Sequence, residues 1–588
     1  MRVLRFLLRA AVAILAVIGL LIVLLAVGLS VVGWRVATSE TKSVPKHAVL
    51  VLDLRHGVGE RRSTSFFSEL DDKIVLHDAV RAMAAAAKDS RVTALVARLG
   101  GDPISFAHAQ ELRAAVREFA QSGKPTYAFA ESFSETGDPS ADYLLATGFN
   151  EIWMQPSGDL GALGIMIEQP YLHNLLNKLG VQPQLDQRRE YKGGINIFTD
   201  TGMPEPQRQN LQKLTDSVVA QLAEGIAEGR KIPPDDARRL IDTGPHSPDE
   251  AKSAKLIDQI SYWTDLMDKL DPEGKRAYDI ADYAGQLPSP GDHAAEVALI
   301  VASGMIVGGT SNPLVGEEVT AADDIGEAIH DAADDEDVAA IILRIDSPGG
   351  SYVASDTIWR EIVRAKEKKP VVVSMSGVAA SGGYFIAAPA NAILADGATI
   401  TGSVGVYAGK FVLSGLWDKL GINWSRVQSG ANAGLWTSNA PFTPEQWQKF
   451  QQQLDRVYAD FIGKVAQGRK LDTAKVEAAA GGRIWTGQDA VNAGLVDRVG
   501  GLTDAVQMAR NLAGLAKDRE IALVPFPAER NLFELWAERL FGTDAVASRR
   551  SFATLLRAVH ALAPVIQTVA PMVENGDQRL LAPPMQVK

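Results

Sequence analysis

Six segments of this chain recur, in the same order, about 240 residues further on. VTALVARLGGDP from Val92 returns as VAAIILRIDSPGG from Val338, and Lys124-Pro125 returns as Lys369-Pro370. SADYLLATGFNEIW from Ser140 parallels SGGYFIAAPANAIL from Ser381, and GALGI from Gly161 parallels GSVGV from Gly402. KLG recurs at Lys178 and Lys419, and AKLID from Ala254 recurs as AGLVD from Ala493. A period of this length is too long for a solenoid and fits a duplicated domain. Apolar strand-like runs alternate with helical stretches in both copies, so each copy is read as α/β. At 588 residues the chain is in any case too long for a single core. The join is placed in LPSPGDH, Leu287 to His293, whose prolines and glycine disfavour helix and strand alike. The expected domains are therefore 47–286 and 294–525, with 287–293 as linker.

In front of the repeat, no charge occurs from Ala10 to Val32. At 1.5 Å per residue that run spans a hydrocarbon core of about 30 Å. Arg2, Arg5 and Arg9 precede it and Trp34 closes it. The positive-inside rule then keeps residues 1–9 cytoplasmic, makes 10–34 a transmembrane anchor, and carries the polar linker 35–46 and the bulk across the membrane. The competing reading is a cleaved signal peptide, which calls for a shorter apolar run and an A-x-A-like site. The net charge of −12, without a long basic run, speaks against nucleic acid as a partner. The absence of cysteine removes disulfides, thiolate metal sites and a thiol nucleophile.

The two copies differ where chemistry is concentrated. In the second, the strand-like run Val371 to Met375 gives way to small residues, and Ser381-Gly382-Gly383 opens a segment of helical spacing. A serine at a strand-to-helix turn is either an exposed nucleophile beside free backbone N–H groups or an ordinary helix N-cap. Upstream, Asp346-Ser347-Pro348-Gly349-Gly350-Ser351 follows an apolar strand. Its glycines suit close approach of a substrate backbone, so Gly350 or Gly349, with Gly382, are the candidate oxyanion donors. A phosphate-binding reading of that turn fails because G-x-x-x-x-G-K-[ST] is absent from it. The first copy has Ser140 opposite Ser381, but Gly101-Asp102-Pro103 in place of the glycine turn and Ala162 opposite Ser403. Conversely, Lys192 of REYKGG falls opposite Gly430. A serine needs a base, and the nine histidines all lie outside the stretches that repeat around Ser381. A lysine held neutral by burial can serve instead, although a lone lysine is more often a solvated surface residue. One complete site would then be shared between two incomplete copies.

IDSPGGS, SMSGVAASGGYFIA, TGSVGVY and REYKGG, in a duplicated chain behind one anchor, resemble the long form of bacterial signal peptide peptidase A, or protease IV, from the membrane segment to about residue 505. The resemblance implies tandem Clp/crotonase-like domains and a Ser/Lys serine peptidase. It assigns Ser381 as nucleophile, Lys192 as general base and Ser403 as the hydroxyl that orients the amine. It further implies a homotetramer at the outer face of the cytoplasmic membrane, acting on the hydrophobic signal peptides left after secretion. No cofactor or metal enters this reading. The two glycines after Lys192 depart from the family pattern and lead us to expect a looser loop there. Two other readings compete: a crotonase-type acyl-CoA enzyme, and a non-catalytic membrane scaffold. Beyond Phe526 the repeat ends; 526–588 is expected to be a helical extension, its stripes packing on the protein, on a subunit or on the membrane, with residues after Glu574 loosely held.

Overall fold

The computed structural model of the chain describes residues 43–61, 73–134, 139–288, 291, 294–311, 318–527, 579–581 and 586–587. The expected anchor 10–34 and the apolar stripes of Leu532 to Leu562 lie outside these residues. Among the described residues no helix is long and apolar enough to cross a membrane.

The duplication is visible strand by strand. In the first copy six parallel strands follow the order Ala277–Asp279, Ala48–Asp53, Val92–Leu99, Thr126–Ala130, Glu151–Met154, Gln259–Ile260. In the second copy the same order is Ile521–Pro525, Ala295–Ser303, Val338–Ser347, Val371–Ala380, Ala392–Ala395, Arg498–Val499, again all parallel. Helices cover these sheets on both faces, which is why their central strands read as continuous apolar runs rather than alternating ones. Each copy also carries a long helix of 26 residues, Glu205–Arg230 and Pro444–Arg469.

The copies diverge where one strand has grown. Thr126–Ala130 has 5 residues, whereas its counterpart Val371–Ala380 has 10. The extension pairs with Ile400–Gly402, which pairs in turn with Ile484–Thr486. In the first copy, among the described residues, the isolated bridges Phe133 to Leu160 and Leu160 to His246 stand at the equivalent place. The added residues carry the chain directly into Ser381.

Among the contacts that join the copies, two bear on the site. The first is a ladder: Gln182–Gln187 of the first copy runs antiparallel to Tyr407–Val412 of the second, from Gln182 opposite Val412 to Gln187 opposite Tyr407. The second is a buried ionic cluster. The Arg344 guanidinium donates to both Glu60 oxygens at 2.9 Å, to Glu111 Oε2 at 2.8 Å and to Ser374 Oγ at 2.8 Å. Glu60 also meets His108 Nε2 at 2.9 Å and the Ser376 hydroxyl, and Glu111 Oε1 accepts from Leu502 N at 2.8 Å. Against the desolvation that burial imposes, Arg344 and His108 hold the Glu60 carboxyl below its usual range. Glu60, His108 and Glu111 come from the first copy and the rest from the second, so separating the copies strands several charges at once.

Of the 526–588 extension, residues 526–527, 579–581 and 586–587 are described. Arg579–Leu581 and Gln586–Val587 are strands, and the residues past Glu574, expected to hang loose, include both. Arg579–Leu581 completes a third sheet, in the order Val319–Ala321, Met305–Val307, Gly349–Ser351, Arg579–Leu581, Tyr407–Val412, Gln182–Gln187.

Candidate active site

Ser381 stands at the turn between Val371–Ala380 and the short helix Gly382–Ala387, with φ 56° and ψ −113°. Such a conformation costs a non-glycine residue about 1–3 kcal/mol and persists only where its surroundings hold it. Here Ser381 N donates to Gly402 O and Phe385 N donates to Ser381 O, each at 2.8 Å. The side chain makes no capping hydrogen bond to the helix. This sets aside the N-cap reading and leaves the hydroxyl directed elsewhere.

It is directed at Lys192. Lys192 Nζ lies 2.6 Å from Ser381 Oγ, 2.8 Å from the Ser403 carbonyl oxygen and 3.0 Å from Ser403 Oγ, all within one chain. The inter-copy ladder explains how a residue of the first copy reaches this point. Past Gln187 the pairing continues as Arg188 N to Val406 O at 2.8 Å and Tyr191 N to Gly481 O at 3.1 Å. Gly482 then lies across the lysine backbone: a Cβ there would come within 2.3 Å of Lys192 N, and its φ of +84° suits glycine. Lys192 is 0% exposed, and burial pushes its amine well below the ordinary lysine value. A neutral amine has two N–H groups and one lone pair. In the neutral form, N–H groups donated to the two oxygens of Ser403 leave the lone pair to accept from the Ser381 hydroxyl, whereas in the charged form the third N–H donates to Ser381 Oγ.

The glycine turn supplies the other half of the geometry. The position of a Cβ on Gly382 lies 3.0 Å from Gly350 N, so the Gly350 amide is beside the serine turn. The N–H groups of the first turn of Gly382–Ala387 have no acceptor within the helix. Gly349, the alternative donor, is already engaged: its N–H donates to Ser347 Oγ at 3.2 Å. Of the two turn glycines, Gly350 is the one whose N–H is not taken by Ser347. Gly350 tolerates no side chain, because a Cβ would lie 2.0 Å from Ile306 O of the neighbouring strand.

Elsewhere the expectations are corrected or extended. Gly193 and Gly194 do not loosen the lysine loop. Both are buried, and a Cβ on them would meet Gln207 at 2.9 Å and the Tyr407 ring at 2.7 Å, so they permit close packing. Ser140, the counterpart of Ser381, is buried in the helix Pro139–Ala146 and donates to Gly164 O at 3.0 Å. His108 serves the ionic cluster, with Glu60 and Ser376 as its partners. Sequence reasoning missed Ser347 as the group that occupies Gly349, and Tyr407 as the wall of the lysine loop. Tyr407 closes the quoted TGSVGVY motif, so its signal was present in the sequence without its role.

A buried alcohol 2.6 Å from a buried amine whose pKa burial lowers, at a turn beside the Gly350 amide, is equipped for acyl transfer to a serine. Carboxylates polarising a thioester, which the acyl-CoA reading calls for, have no place in this constellation. The sequence description of peptidase family S49 matches residues 118–276 and 363–516, one stretch in each copy. The chain is 31% identical to serine protease SPPA, chloroplastic, of Arabidopsis thaliana over 498 residues, spanning 82% of this chain and 71% of that one. It is 31% identical to protease 4 of Salmonella typhi over 527 residues, spanning 86% and 81%. Protease 4 of Haemophilus influenzae is 29% identical over 477 residues, spanning 76% and 75%.

Proposed function

The chain belongs to peptidase family S49 as a serine-type peptidase of the protease 4 kind, and from that premise we propose that Ser381 and Lys192 are its catalytic dyad. Neutral Lys192 takes the proton as Ser381 Oγ attacks a peptide carbonyl, forming the C–O bond. Gly350 and Gly382 N–H groups receive the developing oxyanion. The lysine then returns the proton to the leaving amine as the C–N bond breaks, and water, activated by the same amine, releases the acyl group. Ser403 orients the amine throughout. One observation carries this reading: a fully buried lysine from one copy, 2.6 Å from a serine held at φ 56° by the other.

Each copy is assigned the Clp/crotonase-like fold, on the strength of the repeated parallel sheet and the shared motifs. The substrate class is the hydrophobic signal peptide, the site of action the outer face of the cytoplasmic membrane with residues 10–34 as single-pass anchor, and the assembly a homotetramer. These assignments are supported by the uncharged N-terminal run and by the similarity to protease 4.

The test is labelling of the full-length protein by a fluorophosphonate, followed by peptide mapping. Modification of Ser381, lost in Lys192→Met, supports the dyad. A folded protein that labels at another serine, or as fast without the lysine, overturns it. Mixing Ser381→Ala with Lys192→Ala subunits should restore no activity, because the pair forms within one chain.

A further inference from the structure

Two residues outside the dyad are divided between the copies as Ser381 and Lys192 are. Ten residues before AGLVD the second copy has Arg483, whereas the first, ten residues before AKLID, has Gly244. Tyr191 precedes Lys192, and Ser429 precedes the matching Gly430. In the structure the two meet across the interface. Arg483 Cζ lies 3.8 Å from the centroid of the Tyr191 ring, well inside the distance of about 6 Å at which a cation and a ring face attract. Both side chains are half-buried, so water and salt screen the contact only in part.

Arg483 touches what lies on either side of the amine. Its carbonyl accepts from Ser403 N at 2.6 Å, and Ser403 has φ 54°, a conformation that its surroundings must hold. Its side chain covers the ring of the residue next to Lys192. Before it, Gly481 and Gly482 have φ of +74° and +84°, and Gly482 crosses the lysine backbone. Gly405 closes another side, since a Cβ on it would lie 3.1 Å from Lys192 Cδ. A pair of glycines is the freest stretch a backbone can contain, yet here it walls off a fully buried amine. Main-chain bonds from Tyr191 N to Gly481 O at 3.1 Å and from Gly482 N to Val404 O at 2.8 Å pin the wall. The stacked guanidinium clamps its far end to the lysine loop.

Burial is what lowers the Lys192 amine. The charged and titratable groups on the loop and the wall are Arg189, Glu190, Tyr191 and Arg483, with Tyr407 beside Gly194, and none of them shares in that lowering. The fit of the wall therefore decides how firmly the amine holds a proton.

We propose that Arg483 is a positioning residue for the dyad: stacked on Tyr191, it holds Gly481 and Gly482 against Lys192 and keeps water from the amine. That role rests on Lys192 being the base; the stack does not.

The test is the rate of fluorophosphonate labelling of Ser381 in full-length protein across a pH series, beside urea melts at the same pH values. In Arg483→Ala the acid limb should move up by about one pH unit, because a wetter lysine holds its proton more firmly. One unit leaves about tenfold less neutral amine below the limb, so labelling there should fall about tenfold. Above the shifted limb the variant should rejoin the wild-type rate. Tyr191→Leu keeps the arginine charge, removes the ring and should shift the limb as far; Tyr191→Phe restores the ring and should rescue it. Arg483→Lys keeps a charge without the planar face and should fall between. In the melts, the pH range over which Lys192 makes stability rise should narrow from its acid end by the same amount. Tyr191→Leu and Arg483→Lys carry the comparison if Arg483→Ala does not fold. A loss that is equal at every pH, or a limb that Tyr191→Leu leaves in place, overturns the proposal. Labelling of Lys192→Met as fast as wild type removes the base instead; the melts then decide the wall separately, a narrowed range in Arg483→Ala keeping it and an unchanged range removing it.

Discussion

Replacing Ser403 by alanine tests how the lysine is aimed. Three groups surround Lys192 Nζ: Ser381 Oγ at 2.6 Å, Ser403 O at 2.8 Å and Ser403 Oγ at 3.0 Å. With the amine neutral, as the proposed dyad requires, both N–H groups are fixed by Ser403, and the lone pair has one direction left. Ser403→Ala keeps the carbonyl and deletes the hydroxyl. The amine can then place its lone pair either toward Ser381 or into the vacated position, where an N–H points at Ser381 instead and takes no proton. The loss is one hydrogen bond's worth of orientation, about 0.5–1.5 kcal/mol. At about 1.4 kcal/mol per decade of rate, kcat/KM should fall about 2- to 12-fold. Removal of the base itself, in Lys192→Met, should cost about 10²–10⁴. Steady-state cleavage of a fluorogenic peptide by the three full-length proteins gives the comparison. The acid limb of the pH profile should survive in Ser403→Ala, since the lysine stays buried. If Ser403→Ala fell as far as Lys192→Met, the hydroxyl would be passing the proton rather than aiming the amine, and the reasoning above would be wrong; an undiminished rate would refute it from the other side.

Lys192 is buried with its pKa pushed well below the ordinary 10.5, so between that lowered value and about 10.4 the unfolded chain binds more protons than the folded one and stability rises with pH. Lys192→Met should flatten that slope in urea melts at a series of pH values, while wild-type kcat/KM rises with pH through the same group as it deprotonates. Gly350→Ala must displace a strand, because the new Cβ would lie 2.0 Å from Ile306 O; loss of one oxyanion donor predicts a fall of about 10²–10³ in kcat, and a smaller effect would move that role away from Gly350. Arg344→Met removes the shared cation from Glu60 and Glu111 and should destabilise the protein by about 3–5 kcal/mol in urea unfolding. Adding Glu60→Gln and Glu111→Gln to Arg344→Met should recover part of that loss, and no recovery would mean that packing, not charge, accounts for it.

The parts of the site that could be read in advance are those on which the copies disagree. Ser403 against Ala162, the glycine turn against Gly101-Asp102-Pro103, and Lys192 against Gly430 mark a division of labour that needs no coordinates. Choices settled by a single contact were out of reach. Gly349 and Gly350 are equivalent as letters, and only the Ser347 hydroxyl, taking the Gly349 N–H, separates them. The glycines after Lys192 illustrate the same ambiguity: glycine permits either freedom or close approach, and the ring of Tyr407 decides for the second. Arg344 announces itself as a charge inside the apolar run IILRID, but its partners Glu60 and Glu111 lie 284 and 233 residues away. No local pattern carries that information. The tail strands have two and three residues, too few for any periodicity to register.

These limits have one physical source, and it bears on how the enzyme is built. Within each copy, sheet order follows from local apolar runs and right-handed crossovers, which sequence states directly. The site forms between copies, where the ladder from Gln182–Gln187 to Tyr407–Val412 and the Arg344 cluster set one half against the other. A base on the far side of such an interface is neutral only after the halves have closed and water has left, because burial is what lowers its pKa. Until then Lys192 is a solvated cation and Ser381 an ordinary alcohol. On the proposed dyad, the duplication couples catalytic competence to completion of the fold: each half alone holds an inert part of the chemistry, and the ladder that joins them is also the step that lowers the amine's pKa.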